Sequence, residues 1–129
     1  MINNNTILGD FSFNHLKLIH LYIFQDIYPF AGKIRKVNIS KGNMFCNVNY
    51  IDNQAKLIFN KLKEDNYLNN LKIETFIKKL AYYFSKINTL HPFREGNGRT
   101  QREFIRQLCI KNGYAIDYST IKKRRNDFS

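Results

Sequence analysis

The residues best suited to chemistry stand together in the window 91–102, which reads His-Pro-Phe-Arg-Glu-Gly-Asn-Gly-Arg-Thr-Gln-Arg. Gly96 and Gly98 flank Asn97 where a helix is predicted to begin, so successive backbone N–H groups can turn toward one point and form an anion-binding nest. The first turn of the helix adds its own unpaired N–H groups and its positive dipole end. The pattern favours a phosphate site.

Charged side chains surround this predicted nest. Arg99 and Arg102 are three residues apart, so they project from neighbouring positions on the first helical turn and suit more than one phosphate group. Glu95 precedes the nest, and a carboxylate beside bound phosphates is expected to hold Mg²⁺. His91 stands at the mouth of the loop, where a neutral imidazole can take a proton from an incoming hydroxyl group. Together they predict group transfer onto a hydroxyl.

The window resembles the signature of the Fic family, HxFx[D/E]GNGRxxR. A second stretch, residues 24–35, is similar to the segment that leads into a β-hairpin flap in that family. The resemblance covers roughly residues 15–117. The signature is matched at all eight specified positions, which are His91, Phe93, Glu95, Gly96, Asn97, Gly98, Arg99 and Arg102.

The resemblance implies that AMP is transferred from ATP to a Ser, Thr or Tyr hydroxyl of a target protein, with release of pyrophosphate. It implies that His91 is the general base, that Glu95 holds Mg²⁺ and that Phe93 anchors the loop in the core. A related branch, which transfers a phosphate, has lysine in place of Gly98. The phosphate-binding residues implied are Gly96, Asn97 and Gly98 for the α- and β-phosphates, and Arg99 and Arg102 for the β- and γ-phosphates.

Strand-forming residues at both ends of the stretch 33–49 predict a two-stranded hairpin with its turn at Gly42. By resemblance this hairpin is the flap that pairs with an extended stretch of the target protein. Lys41 is equally well read as an ordinary turn lysine. The predicted docking residues are Lys41, Gly42, Asn43, Met44 and Phe45.

The elements that must position these residues are helices. Apolar spacing predicts helices over about 14–27, 52–63 and 73–87, and a further helix that begins near Gly98 and stops at Gly113. The fold class is therefore all-α: a Fic-like helical core in one domain, residues 1–129, with the hairpin inserted between the first two helices. Predicted caps are Asp10 or Ser12 for the first helix and Asp52 for the second, and the predicted inner stripe of the third is Phe76, Ile77, Leu80, Ala81 and Phe84.

Composition narrows the class of protein. The chain has 129 residues with 21 Lys and Arg against 10 Asp and Glu, a net charge of +11 that implies an anionic partner. No apolar run approaches the roughly 20 residues of a membrane span, and the first residues lack the pattern of a signal peptide. Cys46 and Cys109 lack CxxC spacing, so we expect two buried, reduced thiols of a cytoplasmic protein rather than a disulfide. The resemblance to the Fic family implies a bacterial origin and leaves open a role as a translocated effector. We expect no membrane partner.

Several alternatives remain open in the sequence. Many family members carry an inhibitory helix with the pattern [S/T]xxxE[G/N], whose glutamate pairs with the residue equivalent to Arg102. This pattern is not found, so either a small antitoxin supplies that glutamate or the protein is unregulated. The competing function is a basic nucleic-acid-binding module that keeps the fold as a scaffold, although a solvated tail is the preferred interpretation of Lys122–Arg125. His15 and His20 are five residues apart, which favours structural roles over metal binding.

Overall fold

The computed structural model describes residues 9–39 and 45–116, and this part of the chain is helical. Four α-helices lie within the described ranges, and no strand is found there. They are α1 (Phe13–Phe24), α2 (Ile51–Glu64), α3 (Ile73–Leu90) and α4 (Asn97–Lys111), with short 3₁₀ helices at Val48–Tyr50 and Asn66–Leu68. Helix α4 packs against α1 and α3, and α2 packs against α3 and α1.

The core centres on α4. Its Phe104 is completely buried and meets Phe11 and Phe59 edge-on, at ring-centroid distances of 5.5 and 5.7 Å. Ile105 and Leu108 on the same helix are also fully buried. Burial of one such side chain stabilises the fold by about 1.5–3 kcal/mol. The site at the start of α4 is thus attached to the most deeply buried helix.

Helix α1 begins directly after Ser12, one of its two predicted caps. The Ser12 side chain accepts a hydrogen bond from His15 N at 3.3 Å, while Asp10 accepts one from Ser12 N at 3.1 Å. The helix ends at Phe24, three residues before the predicted end at Ile27. The Phe24 carbonyl accepts from Ile27 N in a turn that leaves the Ile27 side chain 62% exposed.

The start of α2 corrects the predicted cap at Asp52. The helix begins one residue earlier, at Ile51, and Asp52 lies in its first turn, where a carboxylate still complements the positive helix end. The preceding 3₁₀ helix has the capping residue instead, because the Asn47 side chain accepts from Asn49 N at 2.9 Å.

The inner face of α3 also differs from the predicted stripe. Phe76 is buried as expected, but Ile77 is 55% exposed and Ala81 is exposed. The fully inward positions are Phe76, Tyr83, Ile87 and Leu90. Tyr83 belongs to this face because its hydroxyl donates to Asp65, so the ring can be buried without stranding its oxygen.

The predicted hairpin is not found in the described parts of the segment 33–49. Val48 begins a 3₁₀ helix, so its assignment to a strand was wrong. The guanidinium of Arg35 donates hydrogen bonds to the carbonyls of Val37 and Cys46, at 2.8 and 2.6 Å. These carbonyls therefore bond to a side chain rather than to an opposite strand.

Some predictions fall outside the described residues, namely the docking residues Lys41, Gly42, Asn43 and Met44 and the basic tail Lys122–Arg125. Of the two cysteines, Cys109 is buried as expected, whereas Cys46 is half-buried, and both are free thiols. No helix in the described ranges has the length and apolar character needed to span a membrane.

We expect Tyr83→Phe to lower the free energy of unfolding by about 2 kcal/mol, since it removes a hydrogen bond to a carboxylate. The same bond is the main reason why the pKa of Asp65 is lowered. Its contribution is therefore present near neutral pH and is lost as the pH falls through the Asp65 pKa of the folded protein. Urea titrations at pH 7 and pH 3 would measure both effects.

The matched control is Tyr82→Phe. Tyr82 is 41% exposed and contacts Lys61 and Lys86 only through the face of its ring, which phenylalanine keeps. A loss of stability in this variant as large as in Tyr83→Phe would contradict the assignment.

Candidate active site

The loop that joins α3 to α4 begins with a backbone turn at His91. Its φ and ψ of 44° and 60° are left-handed, and its N–H closes α3 by donating to the Ile87 carbonyl at 3.0 Å. The following Pro92 disfavours helical geometry at this position, and α3 ends at Leu90, three residues beyond the end expected from the apolar spacing. The imidazole of His91 thereby stands at the start of the loop.

The Asn97 side chain closes the loop on itself. Its Nδ2 donates to the Phe93 carbonyl at 2.6 Å, and its Oδ1 accepts from Phe93 N at 2.9 Å. Both residues are buried, with Phe93 only 1% exposed, so the loop is anchored in the core at this point. The sequence predicted a backbone role for Asn97, and the structure adds this structural role for its side chain.

The N-terminus of α4 carries the predicted nest. Gly96 is its N-cap, with a left-handed φ of 81°, and no side chain caps the helix. The first backbone hydrogen bond of the turn runs from Thr100 N to the Gly96 carbonyl at 3.1 Å. No hydrogen bond from the backbone N–H groups of Asn97, Gly98 or Arg99 is found to any group in residues 9–39 and 45–116. Such a helix end attracts anions.

Phe24 of α1 lies directly beneath the nest. A Cβ atom at position 96 would stand 2.4 Å from the Phe24 ring, so only glycine fits this close approach. The guanidinium of Arg99 lies over the same ring, 5.7 Å from its centroid. The Phe24 ring thus limits how closely the loop can approach α1, and it supports Arg99, one of the two predicted phosphate-binding arginines.

His20 supports the loop from α1 and is completely buried. Gly32 N donates to its Nδ1 at 2.8 Å, so the ring proton lies on Nε2, which donates to the Glu95 carbonyl at 2.8 Å. The ring also stacks on Phe93 at a centroid distance of 3.9 Å. Burial lowers the pKa of His20, and the neutral ring is the form that both hydrogen bonds require. Sequence reasoning gave His20 a structural role without identifying these partners.

Arg35 is a site residue that sequence reasoning missed. It is 4% exposed, and its Nε donates to the His91 carbonyl at 2.7 Å. The signal lay within the stretch 24–35, which resembles the family, but an arginine in a basic chain gives no indication of burial. Only the packing shows that it contacts the backbone of the predicted base.

Phe45 is the one predicted docking residue that the described part of the chain includes. Its ring stacks on the His91 imidazole with centroids 3.7 Å apart and planes inclined by 15°. The last of the predicted docking residues and the predicted base are therefore in direct contact.

The Glu95 carboxylate is exposed beside the nest. Within residues 9–39 and 45–116 no cluster of three or more His, Cys, Asp or Glu side chains could enclose a metal ion. A single exposed carboxylate nevertheless fits Mg²⁺, which commonly takes one or two protein carboxylates and completes its shell with phosphate oxygens and water. Arg102 is half-buried on the first turns of α4. The structure thus gathers the residues of the window around one helix end.

The profile of the Fic/DOC family matches residues 10–109. The chain belongs to this family. Among curated relatives, the protein adenylyltransferase VbhT of Bartonella schoenbuchensis is 40% identical over 124 residues, which cover 95% of this chain and 26% of VbhT. The probable protein adenylyltransferase Fic of Escherichia coli is 41% identical over 110 residues, 84% of this chain and 55% of that protein. The chain thus spans little more than half of these relatives at most.

Solved Fic domains share the helical fold. The N-terminal Fic domain of a Bartonella quintana effector protein, solved with bound ADP, superposes with a TM-score of 0.83 at 29% identity, covering 95% of this chain and 65% of that one. BepC from Bartonella tribocorum, solved with bound AMPPNP, gives a TM-score of 0.85 at 26% identity, covering 96% and 67%. The mainly α-helical fold predicted from the sequence is confirmed.

We expect Gly96→Ala to destabilise the protein. The left-handed backbone costs about 1–2 kcal/mol with any Cβ, and the contact with Phe24 adds about 1–3 kcal/mol. Gly113→Ala is the matched control, because Gly113 has a φ of 84° but nothing within 4 Å of its added Cβ. Chemical denaturation of both variants separates the two costs. Equal losses of stability would show that Phe24 does not restrict position 96.

We expect the free energy of unfolding to fall as the pH drops below about 6.5. His20 has a lowered pKa in the folded protein, so the unfolded chain binds its proton first, with a slope of up to about 1.4 kcal/mol per pH unit. His20→Gln keeps one donor and one acceptor, and urea titrations from pH 7.5 to 5 should show a flatter profile for it. The same slope in variant and wild type would exclude His20 as the cause.

Proposed function

We propose that this Fic domain transfers AMP from ATP to a Ser, Thr or Tyr hydroxyl of a target protein, with release of pyrophosphate. The observation that carries the proposal is the helix end at α4, an N–H nest whose loop begins at the imidazole of His91. A nest of this kind binds the ATP phosphates, and the imidazole beside it serves the attacking hydroxyl.

The transfer is a displacement at the α-phosphorus. His91 takes the proton of the target hydroxyl as its oxygen forms a bond to the α-phosphorus. The bond from the α-phosphorus to the bridging oxygen breaks, and pyrophosphate leaves with that oxygen. The N–H groups at the start of α4 hold the α- and β-phosphates in line for this displacement, which is a matter of positioning and charge stabilisation.

The side chains around the nest hold the rest of the triphosphate. Arg99 and Arg102 bind the β- and γ-phosphates with charged donors, and Arg99 is supported in this role by the Phe24 ring. Glu95 holds Mg²⁺, which when bound neutralises charge on the phosphate oxygens. The buried contacts of Asn97 keep the nest in shape while the substrate enters.

The comparisons support this reaction. VbhT and the Escherichia coli relative are both named as protein adenylyltransferases, at 40% and 41% identity to this chain. Fic domains of the same fold have been solved with bound ADP and AMPPNP. We extend adenine-nucleotide binding to this chain because the nest residues Gly96, Asn97 and Gly98 stand at a free helix end.

The partners follow from the same resemblance. We infer that Lys41 to Phe45 dock an extended stretch of the target and that the protein acts in the bacterial cytoplasm. A small antitoxin would inhibit it by placing a glutamate on Arg102, where the carboxylate would take the position of the γ-phosphate.

The reaction is tested with a bacterial lysate and ATP labelled on either the α- or the γ-phosphate. Transfer of the α-label alone is the expected result. Transfer of the γ-label would indicate phosphate transfer, and no transfer of either label would overturn the proposal. A salt-dependent retention of nucleic acid that persists in His91→Ala would instead favour the nucleic-acid-binding alternative.

Single substitutions then separate the roles. We expect His91→Ala to lower transfer by at least 100-fold with little change in the Kd for ATP, because the base acts on the target hydroxyl. Arg99→Ala should raise the Kd for ATP. Its matched control is Arg94→Ala, which removes the same charge from an exposed position on the loop. If His91→Ala weakened ATP binding as much as Arg99→Ala does, His91 would not be the base.

A further inference from the structure

Arg35 is a buried cation with an unusual set of partners. It is 4% exposed, and all its hydrogen bonds in the described part of the chain go to backbone carbonyls. No carboxylate forms an ion pair with it there; the pairs found in residues 9–39 and 45–116 join Lys79 to Asp65 and Arg106 to Glu103. A charge is costly to bury, so its fork of donors must satisfy several groups at once.

The four carbonyls belong to two parts of the chain. Nε donates to His91 at 2.7 Å, and Nη2 lies 3.5 Å from the carbonyl of Leu90 at the end of α3. On the other side, Nη1 donates to Val37 at 2.8 Å and Nη2 to Cys46 at 2.6 Å. One planar group thus joins the C-terminus of α3 to both flanks of the segment 38–45.

The backbone of Arg35 strengthens the same connection. Its N–H donates to the Pro92 carbonyl at 2.9 Å, one residue beyond His91. The negative end of the α3 dipole also favours a cation at this position. Arg35 therefore holds the residues on both sides of the turn in which His91 adopts its left-handed conformation.

The contact between the rings of Phe45 and His91 follows from this arrangement. Phe45 precedes Cys46, whose carbonyl Arg35 holds, and the imidazole belongs to His91, whose carbonyl Arg35 also holds. The two rings stack at 3.7 Å because their backbones are attached to the same guanidinium.

We propose that Arg35 is a positioning residue for His91, which it holds in a fixed orientation against Phe45. The inference rests on the proposed function only in naming His91 the base. Lysine cannot replace Arg35, since an ammonium group lacks the planar fork that reaches four carbonyls.

The geometric part is tested without any activity. The three histidines of the chain give distinct imidazole proton resonances, and His91→Ala identifies that of His91. Phe45→Leu removes the neighbouring ring and shows how far stacking shifts this resonance. We expect Arg35→Lys to move the resonance most of the way to its position in Phe45→Leu. A resonance unmoved from wild type would overturn the proposal.

The catalytic part of the proposal is tested by measuring the transfer of labelled AMP from ATP that is labelled on the α-phosphate. We expect Arg35→Lys to lower kcat at least tenfold and to leave the Kd for ATP within about threefold, with the variant shown to be folded by its thermal transition. Lys36→Arg is the matched control, because Lys36 is exposed and adjacent and this change exchanges the same two side-chain types while keeping the charge, as Arg35→Lys does. Unchanged kcat in Arg35→Lys, or a loss explained by the unfolded fraction alone, would overturn the positioning role.

The two proposals fail in different ways. If the wild type transfers no AMP, the proposed function fails, and the His91 resonance still decides whether Arg35 orients the ring. If the wild type transfers AMP and the resonance and kcat of Arg35→Lys are those of the wild type, only the positioning role fails.

Discussion

The paired hydrogen bonds between Asn97 and the backbone of Phe93 are the constraint on which the site depends. They join the first residue of α4 to the middle of the preceding loop, at 2.6 and 2.9 Å, and both residues are buried. Because the amide side chain satisfies the loop, the N–H groups at the helix end are left for an anion. If groups of the loop accepted hydrogen bonds from these N–H groups, the N–H groups would not be available to an anion.

Two further buried polar groups complete the support, and each reaches the loop from α1 or the segment after it. His20 bonds to the carbonyl of Glu95, and Arg35 bonds to that of His91. The exposed side chains of the window are thus carried on a backbone held at three points from the protein interior. Rigid support of this kind lets exposed residues act with fixed geometry. Arg35 is one of the many positive charges of this basic chain, and its internal structural role is not revealed by the net charge.

The sequence predicted the helices well and their inward faces less well. The spacing of Phe76 and Leu80 correctly predicted the helix α3. The prediction that Ile77 faces the core was wrong, because an apolar residue type does not by itself show which side of a helix its neighbours cover. The strand assignment of Val48 failed for a related reason. Strand propensity is a preference for a pleated, half-buried surface, and this segment bonds to Arg35 and α3 instead of to a second strand.

The window 91–102 by itself indicated the family, which the profile match over residues 10–109 confirms, and it predicted the proposed chemistry. It could do so because a nest, a base and charged side chains are close in sequence when they share one loop and one helical turn. The contacts beneath the window were decided by the tertiary structure alone. Phe24, His20 and Arg35 are separated from the loop by more than fifty residues, and nothing local specifies which side chain will fill the space under it. Burial makes Arg35 a bridge between the backbone of Cys46 and that of the predicted base His91, since an interior cation must be satisfied by the acceptors that the fold supplies.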